Sequence, residues 1–208
     1  MLNIENLKDY HDLFCKIDAL ILSRDKINIA IDGMSGSGKT TFSNILRKLH
    51  DSNVFHMDDF FLRPELITKE RLNEIGGNVD YLRFKQEVIK GILSNEQFTY
   101  QIYDCKSQTL KDSTTIQPKK INIIEGVYSM HPTLIDYYDL KLFMYTDDKT
   151  QSKRLLKRSG PLLYKRFINE WIPKESQYFN EMKIKEQSDI VIKINDSHIE
   201  LKYPFGEL

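Results

Sequence analysis

Only two cysteines, Cys15 and Cys105, occur in 208 residues, too few for a disulfide framework or a set of zinc ligands. Both are read as free thiols in a reducing compartment. No apolar run approaches the roughly 20 residues that span a bilayer, and the N-terminus lacks the basic-then-apolar pattern of a signal peptide. The expectation is a soluble, cytoplasmic chain with no membrane partner. Net charge is missing too. Lys plus Arg number 30, as do Asp plus Glu, so there is no basic field of the kind that drives nucleic-acid binding. That balance still permits a local cation cluster for a small anion. The length suits one ordinary domain with a full core, so residues 1–208 are taken as a single unit, and a homo-oligomer is left open.

What is present is concentrated in one stretch, Gly33-Met34-Ser35-Gly36-Ser37-Gly38-Lys39-Thr40, which fits the phosphate-loop pattern residue for residue. An isoleucine-rich run, 26–32, precedes it as a buried parallel strand would. From Thr41 onward, Phe42, Ile45, Leu46 and Leu49 follow at helical spacing. Strand, glycine-rich turn and helix stand in the required order. A loop wrapping a phosphate must turn its N–H groups inward and let the anion approach the main chain, and glycine allows both. The helix N-terminus then faces the anion, Lys39 reaches the outer phosphates and the Thr40 hydroxyl is placed to ligate magnesium. Gly33, Ser35, Gly36, Ser37, Gly38, Lys39, Thr40 and Thr41 are therefore the candidate triphosphate-binding residues.

Upstream, residues 3–23 space Leu7, Tyr10, Phe14, Ile17 and Ile21 three and four apart, predicting an amphipathic helix within 1–24. Downstream, 53–57 predicts a second strand ending in Asp58-Asp59-Phe60-Phe61. Parallel sheets collect ligand chemistry at the carboxyl ends of their strands. The paired acids fit either solvated turn residues or a magnesium ligand and general base, and in extended chain only one would face the phosphates. Residues 63–78, with Pro64 and Gly76-Gly77, predict a short helix between loops, a flap. Asp80 stands at the N-cap of a helix bearing Tyr81, Phe84, Val88 and Ile92, and 98–103 with 114–116 predict a hairpin outside the main sheet. Flap and hairpin together occupy 60–119.

The run 120–128 predicts a buried strand ending in Glu125-Gly126, where the acid is either a metal-side carboxylate or a strand-end charge in solvent. After a strand at 140–145, the helix 148–159 carries Lys153, Arg154, Lys157 and Arg158 beside Gly160-Pro161. Four such cations make either a solvated face or the positive charge that phosphoryl transfer demands, with Arg166 a further candidate in a lid region at 150–170. The chain continues through Trp171 and Tyr178, mostly helical with a break at Pro173. A strand at 190–194, a turn at Asn195-Asp196-Ser197 and a terminal polar strand complete it.

Taken together, the phosphate loop, Asp58-Asp59-Phe60-Phe61, Tyr103-Asp104, Glu125-Gly126 and the basic helix 153–158 resemble the uridine kinase and phosphoribulokinase group of P-loop kinases, over residues 26–194. The resemblance implies an α/β P-loop NTPase fold: a central five-stranded parallel sheet with helices on both faces, a small hairpin insertion and a lid. It also implies transfer of the γ-phosphoryl group of ATP, with Mg2+, to the primary hydroxyl of a small-molecule acceptor, first of all the ribose 5'-hydroxyl of uridine or cytidine. Asp58 takes the place of the aspartate that accepts the hydroxyl proton, Asp80 that of the acid holding the ribose diol, and Tyr103 the aromatic position beside the base. Arg154, Arg158 and Arg166 fall in the stretch that supplies lid arginines.

Cys105-Lys106-Ser107-Gln108 follows Tyr103-Asp104 without the histidine uridine kinases carry there, and Phe61 replaces their tyrosine. Nicotinamide riboside and pantothenate kinases share the loop and the strand-end acid, so both stay open as acceptor classes. A GTP switch would carry an Asn-Lys-x-Asp element, absent here. A P-loop ATPase or regulator without an organic acceptor is the remaining alternative class.

Overall fold

The computed structural model describes residues 10–195 and 199–204. Helix α1 (His11–Ser23) leads into strand β1 (Ile27–Gly33), and helix α2 (Lys39–Leu49) follows across the glycine-rich turn. Strand β2 (Ser52–His56) ends at a 3-10 turn, Met57–Phe60. The flap contains a second 3-10 turn at Pro64–Leu66 and helix α3 (Lys69–Asn73). Next come α4 (Tyr81–Phe84), a π-turn at Lys85–Ile89 and α5 (Lys90–Ser94), then the hairpin β3 (Phe98–Asp104) and β4 (Thr109–Ile116). Strands β5 (Ile121–Glu125) and β6 (Leu140–Tyr145) precede helix α6 (Asp148–Arg166), a π-turn at Phe167–Trp171 and helix α7 (Ile172–Glu181). Strands β7 (Ile190–Ile194) and β8 (Ile199–Lys202) close the described chain.

The main sheet runs in the order β2-β5-β1-β6-β7-β8, with the hairpin forming a separate two-stranded sheet. Its first five strands are parallel, as expected, and β8 adds an antiparallel edge. Alternation along β1 divides the core. Ile27, Ile29 and Ile31 meet Leu13 and Ile17 of α1 and Phe42 and Leu46 of α2 on one face. Ala30 faces the other side, where Phe55, Phe143 and Val191 pack with Phe60, Phe84, Val88 and Tyr178. Burying each large apolar side chain contributes about 1.5–3 kcal/mol, so this two-sided packing holds the strand ends in place. β2, β5 and β1 thereby deliver His56, Glu125 and Gly33 to one edge.

Several expectations need correction. The aspartates at 58 and 59 are not in extended chain, because β2 stops at His56 and a 3-10 turn takes over. Pro173 does not break the helix: it sits in the first turn of α7, behind a π-turn whose wider bonding pattern accommodates the ring and its missing N–H. The break falls instead at Gly160, with φ of 72° and ψ of 172°, inside α6. Residues 3–9 of the predicted N-terminal helix and Asp196-Ser197 of the predicted turn lie outside the described residues. Among the described residues no helix is long and apolar enough to cross a membrane.

Candidate active site

Gly33 shows why the loop must begin with glycine. Its φ is +132°, and an added Cβ would lie 1.9 Å from the Met144 carbonyl oxygen on the neighbouring β6. From there the chain turns into α2, whose N-cap Gly38 is left-handed (φ 101°) and offers no side-chain cap. The first-turn N–H groups are thus left for an anion. The loop lines a cleft of about 430 Å³ together with Asp58, Glu125, Gly126, Arg154, Arg158 and Ile194. Lys39 is folded back on the loop, its Nζ donating to the carbonyls of Gly33 (2.7 Å) and Met34 (2.9 Å).

At the cleft floor, the Thr40 hydroxyl donates to Glu125 Oε1 at 2.9 Å. His56 Nδ1 lies 2.6 Å from the same oxygen, and that contact, more than any other, pushes the imidazole pKa up against the opposing effect of burial. Parallel register sets His56 beside Glu125. Among the described residues no three His, Cys, Asp or Glu side chains converge as a protein-only metal cage would. A hydroxyl and one or two carboxylates fit magnesium, which prefers hard oxygens and completes its shell with water and phosphate. Thr40, Glu125 and Asp58 are the residues that could hold it.

Asp58 lines the cleft and Asp59 does not. Successive residues of a 3-10 turn rotate by about 120°, so the two carboxylates separate without an extended strand. Asp58 is open to the cleft but ringed by protein, and the loss of surrounding water pushes its carboxyl up, with Lys39 and Arg158 pulling it down and Glu125 raising it further. Asp59 is half-buried and likewise raised by desolvation, while Arg83 Nη2 donates to its backbone carbonyl at 2.9 Å.

The basic helix splits by face. Arg154 and Arg158, four apart, both line the cleft, and Arg154 Nη1 donates to the Gly36 carbonyl at 3.2 Å. Lys153 and Lys157 are exposed and do not line the cleft. Arg166 is not brought to the cleft: it pairs with Glu170 at 3.1 Å and lies over the Trp171 ring. The Gly160 kink turns its half of α6 away from the half that carries Arg154. If the two cleft arginines close on the phosphates, saturating ATP should slow protease cleavage near Gly160-Pro161 severalfold. Equal cleavage with and without ATP would count against a lid there.

Asp80 is not among the cleft-lining residues; it caps α4, its Oδ1 accepting from the Arg83 N–H at 3.1 Å, and Arg83 Nε lies 3.8 Å from Oδ2. Tyr103 is buried on β3. Desolvation, then the charges of Cys105, Glu65 and Asp104, push its hydroxyl pKa up. The Cys105 thiol is likewise pushed up, by desolvation and then by the charges of Asp58 and Asp104.

Three residues escaped the sequence reading. His56 carries a weak signal, a lone polar ring two positions before Asp58. Asp32 carries another, an acid ending an apolar strand. It is fully buried, accepts from the N–H groups of Gly33 (2.6 Å) and Met130 (2.9 Å) and from the Tyr178 hydroxyl (2.8 Å), and desolvation lifts its pKa to about 6. Glu175 has no local signal, since its partner Ser35 is 140 residues away.

Residues 28–159 match the Phosphoribulokinase / Uridine kinase family. The chain belongs to this family. The match takes in the phosphate loop, Asp58, the hairpin, Glu125 and the two cleft arginines. Similar proteins include the uridine kinase of Staphylococcus haemolyticus, 28% identical over 182 residues that cover 79% of this chain and 86% of the relative. Another is the uridine kinase of Ureaplasma parvum serovar 3, 31% identical over 147 residues, 65% of this chain and 70% of the relative. Among solved structures, a possible uridine kinase from Bacillus stearothermophilus shares the fold, with a TM-score of 0.68 at 23% identity over 89% of this chain and 98% of that one. As a member of the phosphoribulokinase and uridine kinase family, the protein is a phosphotransferase that acts on a hydroxyl with a nucleotide as donor.

Proposed function

We propose that the protein transfers the γ-phosphoryl group of ATP to a nucleoside, at the ribose 5'-hydroxyl. The observation that carries this is the position of Asp58, a carboxylate lining the cleft with Lys39 and Thr40, on a turn that packs against the hairpin and the end of the flap, Phe60 stacking on Tyr100 and Phe61 bridging to Val79. A water-splitting ATPase needs no flap or hairpin packed beside that carboxylate. The relatives named uridine kinase support the nucleoside class.

In this reading Lys39 leaves the loop carbonyls and bridges the outer phosphates. Asp58 accepts the proton of the attacking hydroxyl, which turns a weak nucleophile into a competent one. Arg154 and Arg158 bring positive charge to the moving oxygens. Magnesium, held by Thr40 and Glu125 with help from Asp58, would neutralise phosphate charge. Asp80 and Tyr103 are the proposed acceptor contacts, the acid toward the ribose diol and the ring toward the base.

Cys105-Lys106-Ser107-Gln108 stands where a base-reading histidine would be, so the choice of base is the open part of the assignment. A coupled ADP-release screen over uridine, cytidine, purine nucleosides, nicotinamide riboside and pantothenate tests it. Release that depends on a nucleoside is the expected result. Release that responds only to pantothenate would reassign the acceptor, and release indifferent to every alcohol would leave the ATPase reading.

A further inference from the structure

The segment 151–175 is tied to the phosphate loop at both of its ends. From α6, Gln151 Nε2 donates to the Ser35 carbonyl at 2.9 Å, Arg154 Nη1 donates to the Gly36 carbonyl, and the Leu155 side chain packs where a Gly36 Cβ would stand, at 3.4 Å. From α7, beyond the residues that match the family, Glu175 reaches the same two-residue step. Its Oε2 accepts from the Ser35 N–H at 2.9 Å and its Oε1 from the Ser35 hydroxyl. Glu175 is only 4% exposed. The contact therefore costs desolvation of a carboxylate, which a neutral side chain would avoid.

The charges acting on Glu175 are those of the cleft. Desolvation raises its pKa most, Lys39 and the two Ser35 hydrogen bonds lower it, and Asp58 raises it. The geometry behind this is one peptide unit held from both ends: Glu175 Oε2 accepts from the Ser35 N–H while Lys39 Nζ donates to the Met34 carbonyl of the same unit, so carboxylate and ammonium stand across the peptide that an ATP phosphate would approach.

We propose that Glu175 is a positioning residue for phosphoryl transfer: it holds the phosphate loop at Ser35 with both carboxylate oxygens and sets a negative charge against Lys39 that the incoming triphosphate must outweigh. This rests on the reading of the loop as an ATP site. The grip on Ser35 shapes the loop before the nucleotide arrives, and the charge sets how tightly ATP is then held.

Glu175→Gln separates the two roles, because its amide can accept from the Ser35 N–H and donate to the Ser35 hydroxyl oxygen while carrying no charge. Glu175→Ala removes grip and charge together. ATP affinity is read by calorimetric titration without acceptor, and kcat and KM for ATP with the best acceptor from the screen. Glu175→Gln should bind ATP at least threefold more tightly than the unaltered protein and keep kcat within about twofold, while Glu175→Ala should lose at least tenfold in kcat/KM for ATP. ATP affinity unchanged in Glu175→Gln, or a Glu175→Gln defect as deep as that of Glu175→Ala, would overturn the proposal. Failure of the unaltered protein to bind ATP would overturn the ATP-site reading first and the proposal with it, a result distinct from either variant outcome.

Discussion

Lys39→Ala should lose about a hundredfold or more in turnover while remaining folded. Removing one preorganised charge-stabilising donor costs about a hundredfold to a thousandfold in acyl-transfer enzymes, and each loss of about 1.4 kcal/mol in transition-state stabilisation is tenfold in rate. Phosphoryl transfer leans on such donors at least as heavily, since positioning and electrostatics supply nearly all its catalysis. The ammonium is folded back on the Gly33 and Met34 carbonyls at the start of α2, a short reach from the phosphates it would bridge. Its loss should leave the apolar layers on both sheet faces untouched, so the far-ultraviolet circular dichroism should match the parent. Steady-state kinetics at saturating ATP checks the rate. Turnover within a factor of two of the parent would remove the phosphate loop from the mechanism.

Asp58→Asn should abolish most transfer to the organic hydroxyl and still bind ATP. A positioned general base contributes about a hundredfold to ten-thousandfold, and asparagine keeps the shape without the basicity. Asp59→Asn should lose less, because Asp59 stands outside the cleft, with Arg83 on its backbone carbonyl. Asp58 also lies near Glu125 and Thr40, so its loss could weaken magnesium instead of removing a base. Titrating magnesium separates the two: a metal defect is partly rescued at high concentration and a missing base is not. A deeper lesion from Asp59→Asn would reverse the assignment of the two acids. Full activity in both variants, with ADP release independent of any added alcohol, would replace the kinase reading by the ATPase.

The molecule separates the acids at 58 and 59 by a 3-10 turn and not by the alternation of an extended strand. The chain leaves the sheet at His56, and a 3-10 turn places Asp58 in the cleft that Lys39 also lines. Periodicity marks a strand well and its last residue poorly, because the end depends on what the next residues pack against. Here Met57 and Phe60 are buried on the sheet face that holds Phe84 and Tyr178, and that packing curls the turn. The same limit applies to the basic helix. The spacing of Arg154 and Arg158 shows that they share a helix face, but only the packing of α6 on Gly36 shows that this face looks into the cleft, and that Arg166 does not.

The sequence alone determined the phosphate loop, the parallel strands around it, the hairpin and the α/β class, because each is written in local spacing. Gly33 to Thr40 lie within one turn, and apolar periodicity is a property of neighbours. Tertiary structure decided the rest. His56 meets Glu125 across 69 residues, Tyr178 reaches Asp32 across 146, and Glu175 grips Ser35 across 140. No local pattern encodes such pairs. Burial makes them matter: with little water to screen charge, a carboxylate takes its protonation and partners from whatever the fold brings beside it.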